Sequence, residues 1–216
     1  MTRRATAVAW SGGKDAAWAL KRCLEAGGAV DGLLVVVDGA TARSTLNGVP
    51  VSVLERQARA LGLKSWFTVL PDPCSDIDYR RAMRALTDRV KAEGIRSLVS
   101  GDVSLPGIRE YRHARMRGTG LRPEFPLWGA DSHQLASEMI SGGLRARISS
   151  CPMNPSLVGR EFDRAFLRLV GPTVDPLGER GEFHTVVYDA PMFRTAIEPS
   201  RLSWLPNGVD AAGGEQ

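Results

Sequence analysis

The sequence predicts an α/β layer fold built on a parallel sheet, and two observations carry that reading. Short apolar runs alternate repeatedly with stretches whose apolar residues recur at helical spacing, the pattern of strand-helix-strand crossovers. One run, Leu33 to Val37, is β-branched and lacks any polar alternation, as expected of a strand covered on both faces.

The elements follow in order. Residues 5 to 10 form a first strand, closed by Ser11-Gly12-Gly13. Ala16, Ala19, Leu20, Cys23 and Leu24 then mark a helix that ends at Gly27-Gly28. Val30 to Asp38 is the second strand. Leu54, Ala58 and Leu61 mark the second helix, and Ser65 to Leu70 the third strand. Tyr79, Met83, Leu86 and Val90 mark a third helix ending at Gly94, and Ile95 to Ser100 is a fourth strand stopped by Gly101-Asp102. Beyond Gly107 the pattern loosens. It predicts an Arg-rich helix, a connection over 123 to 128, a helix over Ser132 to Ser141 and a sheet continuation at Leu144 to Cys151. A loop over Asn154 to Val158, a helix over Arg160 to Val170 and an extended segment over Glu182 to Asp189 complete a smaller substrate-facing lobe. Residues 207 to 216 have no apolar period and are expected to fray.

Composition narrows the function classes. The 216 residues are 43% hydrophobic and 24% charged, close to globular averages, so wholesale disorder and fibrous structure are excluded. No apolar run approaches the length of a membrane span, and the start has no signal-peptide pattern. Three cysteines, Cys23, Cys74 and Cys151, include no close pair, which fits neither a disulfide framework nor a zinc ribbon. A cytoplasmic setting is expected. The formal charge of +4 is concentrated, since Gly107 to Arg122 carries Arg109, Arg112, Arg115, Arg117 and Arg122 against Glu110 alone. That segment reads either as a solvated helix face or as a patch that meets an anion. The five tryptophans are scattered rather than interleaved with the arginines, which argues against nucleic acid as a partner.

Ser11-Gly12-Gly13-Lys14-Asp15-Ala16 lies between the first strand and first helix, where free N–H groups and the positive helix end attract an anion. It is neither a Walker loop nor a dinucleotide fingerprint. Asp15 beside phosphates implies a bridging divalent cation, Mg2+, or a leaving pyrophosphate that brings its own; either suits ATP split at the α-phosphate. The second constellation is Gly178-Glu179-Arg180-Gly181-Glu182-Phe183-His184-Thr185. On an extended chain Glu182 and His184 share a face about 7 Å apart along the backbone, and a carboxylate with an imidazole can position an amine, accept its proton or hold magnesium. A polar hairpin pairing Arg180 with Glu179 or Glu182 is the alternative.

The string Ser11 to Asp15 matches the loop of the ATP pyrophosphatases, S-G-G-x-D-S, with Ala16 in place of the last serine. One lost hydroxyl contact costs about 0.5–3 kcal/mol, which weakens nucleotide binding without abolishing it. Together with Gly101-Asp102, Pro126-Leu127-Trp128, Glu138-Met139-Ile140, Gly159-Arg160-Glu161-Phe162-Asp163 and the 178–185 string, it resembles the diphthine-ammonia ligase family over nearly the whole chain. Arg180, Phe183 and His184, where diphthamide-forming members usually read G-E-G-G-E-Y-E-T, are similar to the bacterial branch, whose acceptor need not be diphthine.

The resemblance implies a HUP-type, Rossmann-like fold with a PP-loop. Residues 1–105 would form the nucleotide-binding domain, 106–206 the substrate lobe and 207–216 a flexible tail. Ser11, Gly12, Gly13, Lys14 and Asp15 would hold the phosphates, Trp10 and Asp38 would flank adenine and ribose, and Gly101 and Asp102 would approach the nucleotide. Lys14, Asp15, Glu182 and His184 would be catalytic, Arg112, Glu179 and Glu182 would face the acceptor, and Asp15 would contact Mg2+. The implied reaction adenylates a carboxylate on a small molecule or protein, releases pyrophosphate and lets ammonia displace AMP. Sulfur transfer to tRNA through Cys74 or Cys151, and nucleotide sensing without turnover, are the alternatives. A homodimer is left open.

Overall fold

A computed structural model describes residues 5–205; the expected loose tail over 207–216 lies outside them. The expected α/β class holds. Strand β1 (Ala5–Ala9) leads into helix α1 (Lys14–Glu25), then β2 (Val30–Asp38), the two-residue β3 (Arg43–Ser44), α2 (Val51–Leu61), β4 (Lys64–Leu70), α3 (Asp76–Ala92) and β5 (Ile95–Val99). The second half holds α4 (Pro106–Met116), β6 (Arg122–Glu124), α5 (Ser132–Ser141), β7 (Arg145–Ser150), α6 (Arg164–Val170) and β8 (His184–Asp189).

β1 sits mid-sheet, paired in parallel with β2 on one side and β5 on the other. β4 extends the sheet beyond β2, and β6 extends it beyond β5, again in parallel. Only β3, antiparallel to the end of β2, breaks the pattern. The chain therefore runs outward from β1 through β2 to β4, then returns to β1's other side at β5. That reversal is a Rossmann-like switch point, and ligands of such sheets bind in the crevice outside the strands' carboxyl ends there. The strands that line it follow from sequence. Leu33, Val35 and Val37 of β2 are buried, and Gly32 in the same strand has no room for a side chain, because a Cβ there would come within 2.3 Å of the Trp66 ring on β4.

The second half departs from expectation in three places. The connection over 123 to 128 contains β6, which carries the central sheet past residue 105 to Glu124. Pro123 lies within it, and an edge strand tolerates a residue that cannot donate on its outer side. The stretch at 144 to 151 does not continue the main sheet: β7 pairs with β8 in a separate antiparallel ribbon. The helix expected from Arg160 begins at Arg164, because Phe162 N–H donates to the Ala146 carbonyl (2.7 Å) and holds 161–162 alongside β7, while the Asp163 carboxylate caps the helix through Phe166 N–H (2.7 Å).

One hydrophobic core joins the halves. Trp18 of α1 is fully buried beneath α5, with its indole N–H donating to Glu138 (3.0 Å) and its ring against Gly142. The same buried cluster runs from Val8, Leu33 and Leu54 to Phe162, Phe183 and Val187. A smaller cluster under α3 packs Leu86 and Val90 against Trp66, Ile95 and Leu98. The Arg-rich α4, by contrast, buries none of its residues.

Candidate functional site

The glycine turn between β1 and α1 is held from both sides by other parts of the chain. Gly12 takes φ of +85°, a conformation that glycine adopts without strain. Gly13 is the N-cap of α1 and supplies no side chain to cap it. Both glycines are also required by space, since a Cβ would lie 2.9 Å from Leu54 at Gly12 and 2.2 Å from Asn47 Nδ2 at Gly13. Gln57, buried on α2, clamps the turn: its amide donates to the carbonyls of Gly12 (2.9 Å) and Val187 (2.7 Å) and accepts from the Trp10 indole N–H (2.8 Å).

β8 closes the other side. Val187 N–H donates to the Gly12 carbonyl (2.9 Å), Thr185 Oγ1 accepts from Lys14 N–H (3.0 Å), and Asn47 Nδ2 donates to the Thr185 carbonyl (2.8 Å). Segment 178–185 is thereby brought to the amino end of α1, across more than 160 residues of chain. Of these, Gln57 is not singled out by the sequence, and Thr185 enters there only as the last residue of the 178–185 string. Gln57 carried a signal nonetheless, as a polar residue on the stripe set by Leu54, Ala58 and Leu61.

Lys14 is 1% exposed. Its ammonium donates to Asp15 Oδ2 (2.9 Å) and to the Leu177 carbonyl, with the rings of Phe183 and Phe162 at 5.3 and 5.7 Å. The charge is thus sheathed by the carboxy-terminal lobe. Asp15, more open, keeps its second oxygen Oδ1 buried and without a hydrogen-bond partner. An orphaned carboxylate oxygen in the interior is costly unless something completes it. Among the described residues no three His, Cys, Asp or Glu side chains gather to hold a metal. A magnesium ion here would take Asp15 and fill its remaining positions with water and phosphate oxygens, the arrangement it prefers.

The other expected residues fall into two sets. Gly101 abuts α1: a Cβ there would lie 2.6 Å from the Asp15 backbone, so the loop after β5 touches the start of the helix. Glu179 reaches the same loop, accepting from Val103 N–H and Ser104 N–H at 3.2 Å each. Burial, and then the Asp15 charge, push its carboxyl above the usual carboxylate range, against the pull of those amides and Lys14. His184 is half-buried, and burial followed by the Lys14 charge lowers its imidazole from the ordinary value, with Asp15 opposing. Asp15, Gly101, Glu179 and His184 therefore surround the amino end of α1 at the switch point.

The remaining residues stand apart from that centre. Trp10 is buried and braces the turn through Gln57. Asp38 ends β2 in the open, where Thr41 N–H and Oγ1 both donate to it at 2.8 Å and hold its carboxyl below the usual range. Beside it, an open groove of about 470 Å3 runs between the ends of β2 and β4, lined by Gly39, Ala40, Val69, Leu70, Pro71 and Asp72. Asp102 is paired with Arg112 of α4, with Nη2 to Oδ1 at 3.1 Å. Glu182 lies before β8, not within it, and its carboxylate closes the loop below by accepting from Arg180 N–H (3.0 Å) and Asp175 N–H (3.3 Å). The extended stretch that would set Glu182 and His184 on one face starts only at His184, because those amides turn Glu182 back.

One comparison with known proteins falls on the second half. Residues 131–208 match the model of the diphthamide synthase C-terminal domain. No curated protein matches the chain. Among solved structures, it is similar to a predicted subunit of tRNA methyltransferase from Methanocaldococcus jannaschii, at 18% identity and a TM-score of 0.49, covering 87% of this chain and 98% of that one. The match at 131–208 falls on the carboxy-terminal part of the chain, where the 178–185 string lies.

Proposed function

We propose that the protein is an ATP-dependent, AMP-forming amide ligase that adenylates a carboxylate and passes the acyl group to ammonia. The observation that supports this most is the clamping of segment 178–185 onto the amino end of α1, which sets the family's carboxy-terminal motif against the glycine turn. In this reading the triphosphate lies over the start of α1, at the positive end of the helix. The groove beside Asp38 offers room for the nucleoside.

The acceptor carboxylate attacks the α-phosphorus, the bond from that phosphorus to the bridging oxygen breaks, and pyrophosphate leaves. Ammonia then attacks the acyl carbon, AMP departs with its oxygen, and the nitrogen loses a proton as the amide forms. His184 suits that proton, because its lowered affinity keeps the ring neutral near pH 7 and able to accept. Lys14 balances the charge of Asp15 from behind. Magnesium, when bound, would offset the charge of the departing pyrophosphate. Glu179 positions the loop after β5 by holding the amides of Val103 and Ser104. Glu182 fixes the fold of the loop that carries Glu179.

Incubating the protein with ATP, magnesium, ammonium and a panel of carboxylic acids, and resolving the nucleotide products, tests the reading. AMP and pyrophosphate that appear only with a particular acid, and persist in Cys74→Ser and Cys151→Ala, are expected. ADP and phosphate would refute the proposed cleavage. Loss of AMP formation in both cysteine variants, with the fold intact, would favour sulfur transfer instead.

A further inference from the structure

We infer that the protein carries a second anion site, lined by none of the residues of the glycine turn, that takes a small oligophosphate ligand. Four arginines, Arg56 and Arg59 from α2 and Arg194 and Arg201 from the segment after β8, line one open cavity of about 440 Å3. The one acidic side chain that joins them is Glu198, which lies 3.9 Å from Arg201 and so pairs with it loosely. Among the described residues no carboxylate pairs with Arg56, Arg59 or Arg194. Other arginines have a carboxylate partner: Arg112 takes Asp102, Arg147 takes Glu161 and Arg22 takes Glu138. Leaving like charges together without counter-charges costs free energy that a bound anion recovers.

The cavity is also built rather than incidental. Arg194 N–H donates to the Ala60 carbonyl (2.7 Å), and its guanidinium lies so flat on the αL residue Gly62 that a Cβ there would be 2.3 Å from Cζ. Ile197 N–H donates to the Tyr188 carbonyl (2.7 Å), which anchors the far wall to β8. A planar donor fork fixed in this way matches phosphate oxygens two at a time. The volume suits a compact ligand with two or three phosphates. A single chloride would leave most donors unused. A nucleic-acid strand gains from aromatic side chains on which bases stack, and none lines this cavity.

Titrating inorganic pyrophosphate into the 15N-labelled chain, while recording backbone amide spectra, reads the site directly. Amides of Arg59, Ala60 and 195–198 should shift in a saturable way, separately from any shift at Ser11–Asp15. In Arg59→Gln/Arg201→Gln, both exposed positions, the midpoint at the cavity should rise about tenfold or more while the rest of the spectrum is unchanged. The inference is overturned if the cavity amides stay still in the wild-type chain, if chloride at equal ionic strength reproduces the shifts, or if the double variant responds as the wild type does. A twelve-residue single-stranded RNA that moves the same amides at lower concentration than pyrophosphate would also overturn it, in favour of a nucleic-acid surface. Should the double variant fail to fold, the wild-type titration with its chloride control decides alone.

Discussion

Gln57 clamps the glycine turn from outside it. Its amide meets Trp10, Gly12 and Val187 in a fully buried setting. Gln57→Leu keeps the side chain's bulk but leaves the Trp10 indole and the Val187 carbonyl without those partners, at about 1–3 kcal/mol for each orphaned group. Urea denaturation should show a loss of about 3 kcal/mol, and a loss under about 1 kcal/mol would mean the clamp is incidental. His184 gives a second test with a definite sign. Because its folded-state proton affinity lies below the ordinary value of 6.5, the unfolded chain takes up the proton first as pH falls. Stability is therefore full above about 6.5 and declines as pH drops toward the folded-state value. Glu179, with its affinity raised, acts in the opposite sense at lower pH, since its protonated form favours the fold. Melting curves taken between pH 7 and pH 5 should show a decline that His184→Gln removes. The same slope in both chains would show that His184 is not in the environment described. The sequence made the turn and its lysine legible, but not where the lysine goes: its carbonyl partner, Leu177, is 163 residues away, and no local pattern encodes such a contact.

At the scale of elements, the longer strands of the first half could be read because their apolar runs are bounded by glycine or polar residues; β1 and β2 are mostly buried, whereas β4 is buried only at Trp66 and Leu70. β3 and β6 could not be read. Two or three residues are too few to show a period, and Pro123 argues against a strand until its edge position is known. Phe162, Phe166 and Val170 keep a helical spacing that extends the expected helix ahead of α6, and pairing of 161–162 with β7 overrides it. The ribbon of β7 and β8 matters most. It supplies Thr185 and Val187 to the glycine turn, while α5 covers Trp18. A chain ending at residue 105 would lose this cover and the edge strand β6, exposing Trp18 and leaving the turn unclamped. Such a fragment should show no cooperative thermal transition and little near-ultraviolet dichroism. A sharp transition with wild-type-like dichroism would mean that the nucleotide half folds by itself.

Across the whole molecule, the core and the site have the same organisation: the first half provides a switch point, and the second half closes over it. The positive charge is distributed to match. Lys14 is sheathed inside, α4 offers its arginines beside the Gly101–Asp102 loop, and a further set gathers on the α2 face. No described helix is long and apolar enough to cross a membrane. What this organisation is proposed to serve is attack at the α-phosphate of a nucleotide held at the start of α1. A crystal structure with magnesium and α,β-methylene-ATP, which cannot be cleaved at that bond, tests it most directly. The account predicts the phosphates over the amino end of α1, with the metal on Asp15 and the α-phosphorus open toward His184. A nucleotide seated only in the arginine-lined cavity, or one whose terminal phosphate rather than its α-phosphate faces His184, would contradict it.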